Sequence, residues 1–221
     1  MGTMADKKNS GPDDNRTQPF RLGVLVSGSG SNLQSIIDGL HNGPAEIEIA
    51  VVISDNKEAY GLKRAEQAGI PTVVYPMDEY DSRAAHDSAM ATELEQRGID
   101  LVVLAGYMLI VTTALMDRFP YRVINLHPSL LPAFPGGTPI EDTIAYGARF
   151  TGVTVHYVDE GTDTGPIILQ EGLEIKYNDT VDSLRGRIHE IEHRLLLRAI
   201  ELIATGRVRF DDANPRNIIA G

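Results

Sequence analysis

The apolar positions of this chain switch repeatedly between two spacings. Arg21–Ser27 (RLGVLVS) is a short β-branched run that reads as a strand. After Gly28-Ser29-Gly30-Ser31-Asn32, residues Leu33, Ile36, Ile37 and Leu40 recur at helical spacing. The pattern predicts strand, glycine loop, helix. Ile47–Ile53 reads as a second buried strand, Ala59–Ala68 as a helix stopped by Gly69, and Thr72–Tyr75 as a third strand before Pro76. Ser82–Arg97 is expected to be helical with Gly98 just past its end, and Asp100–Ala105 to be a fully buried strand. Further on, Arg122–His127 predicts a strand running into the proline-rich loop PSLLPAFPGG, and Thr151–Val158 alternates like a half-buried strand. Val181–Ala204 predicts a long helix. Its apolar stripe is Leu184, Ile188, Ile191, Leu195, Ala199 and Leu202, with Arg185, Glu192 and Arg198 off it.

Strands alternating with helices of this length imply an α/β fold: one domain, Rossmann-like, with a twisted, mostly parallel sheet and helices on both faces. In such sheets ligands bind outside the C-terminal ends of the strands. We find no internal repeat and no interdomain linker. The expected organisation is a disordered tail over 1–19, a folded domain over 20–210 and a C-terminal tail over 211–221. Met4 reads as a native start behind an added Met1-Gly2-Thr3.

Composition narrows the function. The 221 residues carry 20 Lys and Arg against 31 Asp and Glu, a net charge of −11, which opposes general nucleic-acid binding. The absence of cysteine excludes disulfides, a thiol nucleophile and Cys-ligated zinc. No apolar run approaches the roughly 20 residues of a membrane helix, and the first residues lack the apolar core of a signal peptide. The expectation is a soluble cytoplasmic protein.

Three groups of residues could carry chemistry. Gly28 and Gly30 allow close backbone approach, and the N–H groups at the start of the following helix suit an anion. Leu33 stands where a dinucleotide fingerprint wants a third small residue, while Ser31 and Asn32 add donors, which favours a monophosphate. Asp55 keeps a dinucleotide reading open as a ribose acceptor, and a plain turn capped by Ser31 is the simplest alternative. Second, Asn125 and His127 lie two apart on a strand and so project from the same face. An amide N–H to hold a developing oxyanion and an imidazole to move a proton suit acyl transfer to an amine. The alternative is that both cap the backbone of the proline loop. Third, Asp163 lies in GTDTGP and would favour imidazolium if it met His127; otherwise it is a turn aspartate. The run His189-Glu190-Ile191-Glu192-His193 also fits two zinc-hydrolase patterns, but no third ligand is evident downstream, and such short patterns arise easily by chance.

Taken together, VLVSGSGSNLQSII, AGYM, INLHPSLLPAFPG and TGVTVHYVDEGTDTGPIILQ resemble the folate-dependent phosphoribosylglycinamide formyltransferases, from Arg21 to about Phe210. The resemblance implies formyl transfer from 10-formyltetrahydrofolate, a co-substrate, to glycinamide ribonucleotide in purine synthesis, with no metal required. It implies Asn125, His127 and Asp163 as the catalytic trio: Asn125 on the formyl oxygen, His127 as proton donor, and Asp163 raising the histidine's pKa and relaying protons through water. It also implies that Gly30, Ser31 and Asn32 hold the substrate phosphate and that Glu192 contacts the ribonucleotide, with His189 a further candidate contact. Met108, Leu109, Ile110 and Val111 would line the folate site, with Arg83 nearby and Asn125 reaching the folate too. The expected partners are these small molecules, with no nucleic acid and no membrane, in a monomer or homodimer.

The chain departs from the family pattern at two points. Thr138 stands where relatives carry histidine, which is expected to remove a hydrogen bond near Asp163, and Leu109 replaces a common arginine at the folate rim. Three rival readings remain. A methionyl-tRNA formyltransferase would add a tRNA-binding domain after the last helix, a formyltetrahydrofolate hydrolase would add a regulatory domain before Arg21, and a nucleotide sensor would not need the trio.

Overall fold

A computed structural model of the chain describes residues 18–221. The expected native start, and all but the last two residues of the tail expected over 1–19, lie outside that range. The elements in chain order are β1 (Phe20–Val26), α1 (Ser31–Gly39), β2 (Ile47–Ser54), α2 (Tyr60–Gln67), β3 (Thr72–Val74), α3 (Arg83–Gln96), β4 (Leu101–Leu104), α4 (Thr113–Met116) and β5 (Val123–His127). They continue with α5 (Pro139–Tyr146), β6 (Phe150–Tyr157), β7 (Ile167–Glu174), α6 (Val181–Ala204), β8 (Val208–Phe210) and β9 (Ile218–Ala220). Seven strands follow one another in the sheet order β3-β2-β1-β4-β5-β6-β7. The mostly parallel α/β architecture read from the alternation is therefore present. Contacts gather into two compact units, 15–125 and 126–221, and the division falls within β5.

In the first unit β1 pairs in parallel with both β2 and β4, and β2 with β3. A central parallel strand is covered on both faces, and Leu22, Val24, Leu25 and Val26 are fully buried. Burying each such side chain contributes about 1.5–3 kcal/mol. Helix α3 begins where Ser82 accepts the Ala85 N–H at 3.2 Å, a cap whose loss costs about 1 kcal/mol. Its inward face is unusual: it carries His86 and Asp87 beside Met90, Ala91 and Leu94.

In the second unit β6 and β7 form an antiparallel pair, and α6 packs against both. Thr180 and Ser183 close a capping box at the start of α6, and the helix keeps the bounds its apolar stripe predicts. Two expectations are corrected here. Strand β6 is not half-buried, because Thr151–Tyr157 are all buried; its polar side chains Thr154 and His156 are consumed by internal contacts rather than by water. Glu192, read as lying off the stripe of α6, is only 6% exposed. The expected tail 211–221 contributes β9, which pairs antiparallel with β8. The Phe210 ring stacks on Tyr157 at 5.4 Å, and Arg216 Nη2 donates to the Thr164 carbonyl at 2.5 Å.

Candidate active site

The glycine loop follows β1 directly. Gly30 occupies the N-cap position of α1 with φ 69°, in the left-handed region that favours glycine. Ser31 is the first helical residue and no side chain caps the helix, so the simple reading of a turn capped by Ser31 does not hold. The first-turn N–H groups of a helix lack intrahelical acceptors, which is what an anion requires. Helix α2 moulds the loop: Gly61 N–H donates to the Gly28 carbonyl at 3.0 Å, and a Cβ on Gly30 would lie 2.6 Å from the Gly61 Cα. Arg64, stacked on Tyr60, donates to the Ser29 carbonyl and to Gln34 Oε1, both at 2.9 Å. Gly61 and Arg64 were not singled out from sequence, and nothing local in their surroundings marks them. Asp55 accepts from Ser27 Oγ at 2.6 Å, so one oxygen of the carboxylate that a dinucleotide ribose would need is already engaged.

Residues 106–112 follow β4 without regular structure. Met108 and Ile110 are exposed at 74% and 69%, whereas Tyr107 and Val111 are buried and Leu109 is half-buried. Arg83 does lie beside this segment, but its guanidinium is turned to the protein. Nη2 donates to the Ile110 carbonyl at 2.6 Å, Nη1 reaches Met77 Sδ at 3.9 Å, and Nε is 3.6 Å from Asp87 Oδ1.

In the second unit three titratable side chains converge. His127, at the end of β5, is buried; its Nδ1 is 3.4 Å from Asp163 Oδ2, and its Nε2 is 2.8 Å from the Phe134 carbonyl. His156, not singled out from the sequence, places Nε2 3.6 Å from Asp163 Oδ1 while its Nδ1 lies 2.8 Å from the Tyr157 carbonyl. Asp163 has φ 55° and accepts the Gly136 N–H at 2.8 Å. It is thus more than a local turn aspartate. Thr138 bonds Asp142 at the start of α5 instead, and Gly136 supplies a donor to Asp163 through backbone that no substitution at 138 removes. Asn125 lies two residues before His127 on β5, half-buried.

A carbonyl only accepts, so His127 Nε2 carries a proton and donates to Phe134. The histidine therefore also supports the proline loop, and the capping alternative holds for this one nitrogen. Burial pushes the His127 pKa down, and the Phe134 carbonyl and Asp163 offset this only in part. Asp163 raises this pKa, as expected of its charge, but burial outweighs it and the net shift is downward. For Asp163 burial opposes ionisation, but the bond from His156, the Gly136 N–H and the nearby ring charges outweigh it and hold the carboxyl below its ordinary value.

On α6, Glu192 lies with Oε2 3.8 Å from His189 Nε2. The His189 and His193 rings stack at 6.3 Å rather than converging on a point, and among the described residues no group of three or more His, Asp or Glu side chains is placed to hold a metal. Burial and then the neighbouring Arg185 lower the His189 pKa.

Known proteins resemble this chain over most of its length. It is 43% identical over 194 residues to a trifunctional purine biosynthetic protein adenosine-3 of Chironomus tentans, covering 87% of this chain but only 14% of that protein. It is 39% identical over 192 residues to the phosphoribosylglycinamide formyltransferase of Haemophilus influenzae, covering 87% of this chain and 91% of the relative. The crystal structure of glycinamide ribonucleotide transformylase 1 from Symbiobacterium toebii superposes with a TM-score of 0.89 at 44% identity, over 96% of this chain and all of that one. Residues 20–200 match the family described as formyl transferase, and the chain belongs to that family.

Proposed function

We propose that this chain transfers the formyl group of 10-formyltetrahydrofolate to the amino group of glycinamide ribonucleotide, giving formylglycinamide ribonucleotide and tetrahydrofolate, in cytoplasmic de novo purine synthesis. The observation that carries this reading is the His127–Asp163 pair, with Asn125 two residues upstream on β5, in a chain of the formyl transferase family.

Attack by the amine nitrogen makes a C–N bond and drives the carbonyl electrons onto oxygen; collapse then breaks the bond to N10 of the folate. In this reading Asn125 donates to the oxygen as it gains charge. The leaving nitrogen needs a proton and the attacking amine must lose one. His127 supplies the first, and Asp163 stabilises the imidazolium and passes on the second through water. With Nε2 committed to the Phe134 carbonyl, the mobile proton of the ring sits at Nδ1, the edge that faces Asp163. Burial makes the imidazolium a stronger acid, and the charge of Asp163 opposes that shift only in part.

Gly30, Ser31 and Asn32 hold the substrate phosphate in this scheme, and Glu192 contacts the ribonucleotide. Met108, Leu109, Ile110 and Val111 line the folate site, with Arg83 and Asn125 adjoining it. The protein acts as a monomer or homodimer on these small molecules alone. The test mixes purified protein with 10-formyltetrahydrofolate, with and without glycinamide ribonucleotide, and follows folate absorbance. Tetrahydrofolate formed only with the nucleotide is the expected result. Equal turnover without it makes the protein a hydrolase, and no turnover in either tube makes it a binding protein.

A further inference from the structure

Residues 106–112 are irregular, yet every second residue has a backbone group held by the protein. The Gly106 carbonyl accepts from Ser27 N–H at 3.1 Å, and Met108 N–H donates to Ser27 Oγ at 2.9 Å. The Ile110 carbonyl accepts from Arg83 Nη2 at 2.6 Å, and Thr112 N–H donates to Asp87 Oδ2 at 2.6 Å. Leu109 and Val111, in between, make no such bond among the described residues. One edge of the segment is fixed from below while Met108 and Ile110 project into solvent.

The supports are themselves anchored. Ser27 Oγ, while accepting from Met108, gives its own proton to Asp55 Oδ1 at 2.6 Å, so its orientation is set from both sides. Asp87 is wholly buried, as is His86 next to it, whose Nδ1 lies 3.0 Å from Asp87 Oδ1 and whose Nε2 lies 2.9 Å from the Tyr75 carbonyl. A carboxylate with no exposure is costly unless its oxygens are engaged, and here Thr112, His86 and Arg83 engage them. Such a cost for tethering a loop makes physical sense where the shape of the loop matters before anything binds to it, because a preordered surface spends less ordering entropy on binding.

We infer that Ser27 and Asp87 are positioning residues for the formyl donor: acting through the backbone of Met108 and Thr112, they hold the 106–112 segment in the shape that receives the folate. This rests on the reading above that Met108–Val111 line the folate site. Neither residue touches a reacting atom, so their removal acts on donor binding and leaves the chemical step and the nucleotide alone.

The experiment titrates tetrahydrofolate calorimetrically into wild type, Ser27→Ala, Asp87→Ala and Asp87→Asn, and measures KM for each substrate together with kcat. Losing one such hydrogen bond raises the tetrahydrofolate Kd and the donor KM of Ser27→Ala about fivefold to tenfold, with kcat and the nucleotide KM within about twofold. Asp87→Ala shows a larger donor effect, and Asp87→Asn, which keeps an acceptor for Thr112 N–H, recovers most of it. The inference is overturned if Ser27→Ala binds tetrahydrofolate as wild type does, or if it loses both substrates equally. Because Ser27 is not in the buried core, this arm stands even if Asp87→Ala fails to fold. Wild-type protein that does not bind tetrahydrofolate overturns the functional reading itself, a result distinct from a Ser27→Ala variant that binds normally.

Discussion

The glycine loop and the His127–Asp163–His156 cluster are held in place by different physical means. The loop is shaped by backbone: a left-handed Gly30, a close approach to Gly61 and a guanidinium on the Ser29 carbonyl, with no ionisable side chain of its own. The cluster is shaped by charge: two rings flank one carboxylate, and each ring is steadied by a main-chain carbonyl. The first arrangement suits binding, since its geometry does not change with protonation. The second suits proton movement, since its geometry depends on where protons reside.

Substitutions in the two regions should therefore fail differently. The largest effect is expected in the cluster. His127→Asn or Asp163→Asn lowers kcat by about two to four powers of ten, the scale of a lost acid–base group, while calorimetry finds nucleotide binding unchanged. Equal loss of binding would erase the contrast.

The same Asp163→Asn variant sharpens it. The wild-type His127 pKa lies below 6.5 because burial outweighs its neighbours, and removing a charge that raises it moves it further down, which histidine NMR titration reads directly. The carboxyl of Asp163 titrates below its ordinary 3.8, so it contributes stability above that value and loses it as pH falls through the lowered folded pKa. Urea melts at neutral pH and near about pH 3 should show this acid loss reduced in the variant.

An intermediate effect is expected at Gly30→Ala. A side chain there meets both a positive φ and the Gly61 backbone, at a cost on the order of 1–3 kcal/mol. The nucleotide KM rises tenfold or more while kcat at saturation stays within a few-fold, as steady-state kinetics will show. The smallest effect is expected at Arg64→Ala, which removes the bonds to Ser29 and Gln34 at the edge of the loop. A rise in nucleotide KM of about threefold to tenfold follows from the net worth of such bonds, with no change in the pH dependence of kcat.

How much of this was legible in the sequence differs between the same two regions. Helical and strand periodicity located β1, α1 and α6 because their apolar faces repeat, and the glycines announced the loop. The partners that shape the loop lie on another helix, and Gly61 and Arg64 look ordinary in their own surroundings. Near the cluster, spacing along the chain was enough to set Asn125 and His127 two apart on one strand, β5. That Asp163 reaches Gly136 and the His127 ring depends on contacts across 27 or more residues, which no local pattern encodes. Strand β6 misled for a related reason: alternation of polar and apolar residues reports a wet face, and here Thr154 and His156 are polar yet dry, because the protein supplies their partners. The family resemblance marked Arg83 as near the folate, but only coordinates reveal that it faces the Ile110 carbonyl.

The C-terminal hairpin has a consequence for how the protein comes into being. Phe210 and Arg216 hold the two sides of the loop that bears Asp163, at Tyr157 and Thr164, across a separation of 52 residues in the latter case. At translation speeds of roughly 5–20 residues per second, those partners emerge about 3–10 s after the loop itself. The loop thus awaits contacts made late in synthesis, and the Asp163 carboxylate gains its final support after the sheet strands that carry both histidines have been made.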